Sequence, residues 1–289
     1  MKTANYGLPY QGSKGKFAAR IYRAIAHRHP DARTLIDPFC GGWAVSHAFT
    51  IAGWDVHASD VDPYVVALLR HVLSGHGLGE WATRWVERDL FEECVKRPEL
   101  TGLDAWEVGL VRVVWSFGNG QLTYMYGRHV TARRAATHEK VMSRRGVAAQ
   151  RAALSREPRH DILKHAGRLW RVASLVGGGE PPMVADYRDA LTAHASTGTV
   201  VYLDPPYADT KPYPGAPMFD SATMWAHAER AAHAGAHVYV SEYKAPPGWR
   251  PILTFTRPNT LAADPRAKAT SRATERLYVP DRPRHGHQP

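Results

Sequence analysis

Cysteine is scarce in this chain: Cys40 and Cys94 are the two thiols among 289 residues. They form neither a disulfide framework nor a thiolate metal cluster, which suits a reducing compartment. Sixteen histidines are present, yet no Cys or His pattern has zinc spacing, and His285-Gly-His287 in the tail reads as adventitious. No metal is therefore expected. No apolar run reaches bilayer-spanning length and no signal peptide is apparent, so the expected location is the cytosol, away from membranes. No internal repeat occurs. Acidic side chains are also in deficit, 27 against 37 Lys and Arg, for a net charge of +10 and a pI near 9.7. Such a balance points to a polyanionic partner. The length suffices for one catalytic domain with a substantial core plus a subdomain.

What is present is concentrated in Asp204-Pro205-Pro206-Tyr207, directly after the apolar run Val200-Val201-Tyr202-Leu203. An aromatic amine is a poor nucleophile, because its lone pair is delocalised into the ring. A carboxylate (Asp204) and a backbone carbonyl (Pro205) that both accept hydrogen bonds from the NH2 group favour a more tetrahedral nitrogen and stabilise the charge that develops during attack. Pro205 and Pro206 lock the backbone so that the carbonyl is already aimed. Tyr207 offers a face on which a base can stack. Taken alone, the tetrapeptide also fits a proline-rich turn with Asp as a turn residue.

A second constellation lies upstream. Thr34-Leu-Ile-Asp-Pro-Phe-Cys-Gly-Gly42 is a short apolar strand running into a glycine turn, followed by a helix-like stretch from Ala44 to Ala52. Gly41 and Gly42 permit close backbone approach at a strand-to-helix crossover, where open α/β sheets bind nucleotides. About twenty residues on, the strand Val56-His-Ala-Ser-Asp60 ends in an acid at the spacing that reaches ribose hydroxyls. Together these features predict a nucleoside cofactor beside an amine-activating site.

With these motifs in this order, the chain resembles the Dam-type adenine-N6 DNA methyltransferases. Tyr10-Gln-Gly-Ser-Lys14 is similar to that family's N-terminal cofactor segment, Asp37 to Gly42 to its glycine motif and Asp60 to its ribose-binding acid. Asp186-Tyr187 is similar to its adenine-side motif and Asp204 to Tyr207 to its catalytic motif. The resemblance implies S-adenosylmethionine as methyl donor, with Lys14 and Asp37 near the methionine moiety, Phe39 and Asp186 near the adenosine and Asp60 at the ribose. Cofactor motifs first, then an insertion, then the catalytic motif is the arrangement of the subgroup whose target-recognition region lies between the two. Trp43 departs from the pattern, which has a small residue there. Its side chain is expected to pack beneath the loop, a departure that bears on cofactor affinity more than on the reaction.

The charge supports such an insertion. From Arg128 to Arg171 there are ten Arg and two Lys against three acids, a net +9. Some of these side chains are expected on phosphates, which supply most non-specific DNA affinity, and others on a solvated face. Arg128, Arg133, Arg134, Lys140, Arg144 and Arg145 are the candidates. Residues 127–159, poor in large apolar side chains, are expected to order on DNA. Just before them, Trp115 to Gly127 mixes aromatics, amides and glycines. Asn119 is a candidate to reach a base edge and Tyr124 a further DNA contact, with a structural turn as the alternative. Asn119-Gly120 is similar to an Asn-Gly element of the family.

The expected fold is α/β, a Rossmann-like methyltransferase fold with a seven-stranded, mostly parallel sheet whose last hairpin is reversed, plus a small helical DNA-recognition subdomain. Strands are expected near 34–37, 56–60, 183–186, 199–203, 237–241, 251–255 and 276–280, and a helix over 13–28. The catalytic domain would comprise 1–85 and 175–289, and the recognition subdomain 86–174. The expected reaction is methyl transfer from S-adenosylmethionine to adenine N6 in a short duplex DNA sequence, with base flipping, by a monomer, alone or paired with a restriction enzyme. Similar chemistry would serve an RNA adenine or a protein glutamine, and a decayed scaffold could bind DNA without catalysis. The proline-rich segment 211–217 could close over a flipped base or merely connect.

Overall fold

The computed structural model describes residues 6–158, 163–175, 178–206, 219–258 and 272–281. Tyr207, the segment 211–217, Arg159 and the tail beyond Asp281 lie outside the described residues. Seven strands form one sheet: β1 (Thr34–Asp37), β2 (Asp55–Asp60), β3 (Met183–Val184), β4 (Val200–Leu203), β5 (His237–Glu242), β6 (Trp249–Pro258) and β7 (Arg272–Pro280). Their order is β3-β2-β1-β4-β5-β7-β6. β1 pairs in parallel with β2 and β4, β2 with β3 and β4 with β5, whereas β7 is antiparallel to both β5 and β6. Only β7 is therefore reversed. Edge strand β6 runs with the parallel set, which refines the expectation of a reversed hairpin.

The central strands read as unbroken apolar runs because both faces are covered. Leu35, Val200 and Tyr202 join one apolar cluster, and the alternate residues Ile36, Val201 and Leu203 join the other. The first cluster takes side chains from α1 (Ala18–Arg28), α2 (Ala44–Ile51) and α3 (Pro63–Leu73), the second from α9 (Tyr187–His194) and α10 (Ser221–His233). Helix α1 starts later than expected, because residues 14–17 form a turn in which the Phe17 and Ala18 amides both reach the Lys14 carbonyl. β3 stops at Val184, since Asp186 already caps α9 by accepting from the Arg188 amide.

Residues 86–174 hold α4 (Arg88–Lys96), α5 (Ala105–Trp115), α6 (Thr131–Met142), α7 (Val147–Ser155) and α8 (Lys164–Ala173). They share the first cluster rather than building a core of their own: Phe91, Val111, Trp115, Met142 and Leu169 belong to the same contiguous set as Leu35. Helix α5 lies against α3 so closely that a Cβ on Gly109 would stand 2.1 Å from the Tyr64 carbonyl oxygen. Residues 127–158, expected to order on DNA, hold two α-helices. Within that range α6 and α7 are regular helices, whose inner side buries His138, Val141, Met142 and Gln150. Val141 and Met142 join the apolar cluster, and polar anchoring adds to it. Gln150 donates to the Met142 and Arg144 carbonyls and accepts from the indole of Trp170 on α8. His138 and His165 form a buried chain from the Tyr126 hydroxyl to the Thr83 carbonyl. Because the carbonyl can only accept, His138 donates to it through Nε2 and receives from His165, which receives from Tyr126. Burial pushes both imidazoles below their ordinary range, His165 well below.

Candidate active site

β1 and β4 are neighbours whose onward connections run to opposite sides of the sheet, and a crevice opens at their carboxyl ends. A cavity of about 530 Å³ occupies that position, lined by the ends of β1, β2 and β4 and by the segment 10–14. Lys14, Asp37, Asp60, Asp186 and Asp204, far apart in sequence, all face it.

Asp37 ends β1 with 1% exposure. Its Oδ2 accepts from Ser46 Oγ at 2.6 Å on α2, and Oδ1 has no partner among the described residues. Burial, reinforced by the nearby charges of Asp204 and Asp60, raises its pKa to about 7. A desolvated carboxylate with one free oxygen is a receptor for a cation. Asp60 ends β2. Its Oδ2 accepts from the Gly41 amide at 2.8 Å and Oδ1 from the Asp62 amide at 3.0 Å, so it ties the glycine turn to the strand end. Desolvation lifts its pKa to about 6.

Gly41 and Gly42 line the cavity, and the turn they form is also fitted around Tyr10. A Cβ on Gly42 would stand 2.6 Å from Tyr10 Cβ, and one on Gly41 3.0 Å from the Tyr10 ring. The turn is thus shaped around Tyr10, which itself lines the cavity. Gly7 approaches just as closely, with its amide neighbour Leu8 donating to the Gly42 carbonyl at 2.7 Å. Arg171 on α8 holds this segment down through the carbonyls of Tyr6 and Gly7. Trp43 is 1% exposed, adopts a left-handed φ of 61° and stacks on His47, turned away from the cavity lining.

At the end of β4, Asp204 receives the Lys14 ammonium on both oxygens, at 2.5 and 2.7 Å. Lys14 also pairs with Glu275 on β7 at 3.0 Å, and both Lys14 and Glu275 are buried. Pro205 and Pro206 continue the cavity wall. Glu242 on β5 lies in the same electrostatic environment, and burial raises its pKa to about 7. On the opposite wall Phe39 stacks on Tyr187 with centroids 5.1 Å apart, and Phe219 meets Phe39 edge-on. Asp186 is held by a two-pronged contact from Arg188 at 2.8 and 2.9 Å, which keeps its carboxyl below the usual range. Cys40 is buried, and desolvation pushes its thiol well upward, away from thiolate chemistry.

Glu275, Glu242, Phe219, Arg112 and Arg171 were not signalled by the sequence. They carry no motif, and only the pairing of distant strands and helices brings them to the site. Arg112 on α5 is 3% exposed, bonds Asp62 at 3.2 Å and lies over the Tyr64 ring. It links the cavity floor to the inserted helices.

The candidate DNA contacts divide. Arg128, Arg133, Arg144 and Arg145 are exposed on or beside α6. Arg134 is half-buried over the Tyr126 ring, and Lys140 pairs with Glu157 at 2.5 Å. Asn119 stands in a left-handed conformation, φ 63°, at a hairpin tip. Tyr124 differs from the expected contact: it is 4% exposed, donates to the Val86 carbonyl at 2.6 Å and packs on Phe91 and Trp115. Its ring supports the hairpin from inside.

Residues 10–100 match the family model of the D12 class N6 adenine-specific DNA methyltransferases. The family indicates a DNA adenine methyltransferase. The matched stretch contains Tyr10, Lys14, Asp37, Asp60 and the glycine turn, and ends before Asp204. It supports adenine-N6 DNA methylation as the general activity, in a family that normally uses S-adenosylmethionine. No curated protein matches the chain. Among the described residues no group of three or more His, Cys, Asp or Glu could hold a metal ion, and no helix is long and apolar enough to cross a membrane.

Proposed function

We propose that this enzyme methylates N6 of an adenine flipped out of a short duplex DNA sequence, with S-adenosylmethionine as donor. The observation that carries this reading is the shared cavity: Asp204 opens into the same space as Asp37 and Asp60, at the switch point of the sheet. The lining fits the donor. The free Oδ1 of Asp37 suits an ammonium group, Asp60 can accept from ribose hydroxyls and the Phe39–Tyr187 wall suits a purine. When bound, S-adenosylmethionine supplies an electrophilic methyl group on a sulfonium.

The rest is done by the chain. Asp204 and the Pro205 carbonyl accept from the adenine amine and hold its nitrogen toward the methyl group. Lys14 sits between Asp204 and Glu275, so one cation faces two carboxylates and the cluster keeps net negative charge for the ammonium-like nitrogen. Each carboxylate oxygen has two lone pairs, so Asp204 can accept from N6 while Lys14 remains in place. Rotating the base out costs a few kcal/mol. No cysteine nucleophile is needed, because N6 itself attacks. The inserted segment 86–174 acts as the target-recognition region, its exposed arginines positioning the duplex through phosphates.

Asp204→Asn tests the role of the motif. Methyl transfer should fall by about 10³-fold while S-adenosylmethionine affinity stays within about threefold, as read by single-turnover transfer and calorimetry. Weakened cofactor binding with normal turnover at saturation would contradict the assignment.

A further inference from the structure

The hairpin Ser116–Tyr124 has a firm base and a strained tip. At its base Ser116 bridges Tyr124, Phe117 donates to the Thr123 carbonyl at 2.6 Å, and Arg168 on α8 grips the Val114 and Ser116 carbonyls. At its tip Gly118, Asn119 and Gln121 all take left-handed φ, between 60° and 63°. Glycine and asparagine tolerate that conformation, but for Gln121 it is unfavourable and persists only where something imposes it. The tip also gathers buried polar atoms with no partner among the described residues, Asn119 Oδ1 and both amide atoms of Gln121, and Ser116 Oγ at the base is unpaired as well. Gln121 is the extreme case, with 0% exposure and a whole carboxamide unpaired. An apolar side chain would fill that position at lower cost.

The tip lies beside the cavity and is flanked by exposed apolar side chains. Phe117 and Leu122, on either side of it, are 62% and 46% exposed. A Cβ on Gly120 would stand 3.0 Å from the Gln11 side-chain oxygen, and Gln11 lines the cavity. Resting on the reading of the chain as a DNA methyltransferase, we propose that Gln121 is a specificity residue withheld in the free enzyme. Engagement of duplex DNA inverts the hairpin tip and delivers the Gln121 carboxamide to a base edge. Glutamine pairs there with both N6 and N7 of an adenine, and the strain and unpaired amide of the free state favour the change.

Gln121→Leu separates this role from a structural one. The variant should melt at the same temperature as the wild type or higher and bind S-adenosylmethionine unchanged, yet lose at least tenfold in kcat/KM on the preferred duplex, with weaker discrimination against substituted sites. Gln121→Gly, which also relieves the left-handed backbone, should behave alike. A variant that keeps kcat/KM within twofold, or that loses stability and cofactor binding together with activity, overturns the proposal. Hydrogen exchange of peptide 117–123 with and without the duplex reads the rearrangement independently of turnover, and unchanged exchange on bound DNA also overturns it. If the wild type itself methylates no DNA, the functional reading has failed rather than this assignment.

Discussion

Asp37 is the most buried carboxylate among the described residues lining the cavity. Burial raises its pKa to about 7, so it is largely protonated below that pH, and on the proposed function it must give up its proton to receive the donor's cationic amine. Affinity for S-adenosylmethionine should therefore rise with pH by up to about tenfold per unit below pH 7 and level off above it. Calorimetry between pH 5.5 and 7.5 checks this, and Asp37→Asn should bind weakly and lose the dependence down to the range near 6 where Asp60 titrates. A flat profile in the wild type would contradict the cation-receptor role. At this scale the motifs were legible because their chemistry is written in neighbouring residues, as in Asp204-Pro205-Pro206. The partners that tune them were not. Glu275 reaches Lys14 only because β7 inserts beside β5. Trp43 packs beneath the turn as its bulk suggests, but its left-handed backbone carries no sequence signal.

Among the elements, the joint between α3 and α5 fixes how the inserted helices sit on the sheet. Gly109 permits that contact, since any side chain would press on the Tyr64 backbone. Gly109→Ala should destabilise the fold by about 1–3 kcal/mol in urea unfolding, and displace Arg112 from Asp62. A neutral result would mean that α5 shifts freely and that the joint does not position the insertion. The sheet was readable from its apolar runs, strand by strand, because β1 and β4 are buried on both faces. Helices α6 and α7 were less so, because beside the few apolar contacts of Val141 and Met142 their anchors are His138, Gln150 and a distant Trp170. Tyr124 misled for a related reason. An aromatic among glycines and amides suits a DNA contact in sequence, but its hydroxyl finds the Val86 carbonyl inside the core.

Over the whole molecule, the net charge of +10 is the feature most directly tied to a polyanionic substrate. The structure sorts it, since Arg168 and Arg171 are spent on backbone carbonyls within the fold. Arg144 and Arg145 are exposed, and on the proposed function they are candidate phosphate contacts. Replacing both with alanine should weaken duplex binding across sequences and reduce the slope of log K against log salt by about 1 to 2. An unchanged slope would move the DNA path to another face. Adenine-N6 methylation of DNA is tested most directly by incubating the protein with tritiated S-adenosylmethionine and unmethylated duplex DNA, and mapping N6-methyladenine in the product by single-molecule sequencing. Methylation is expected at the adenine of one short motif and should be lost in Asp204→Asn. Tight cofactor binding without transfer to any duplex DNA would contradict it.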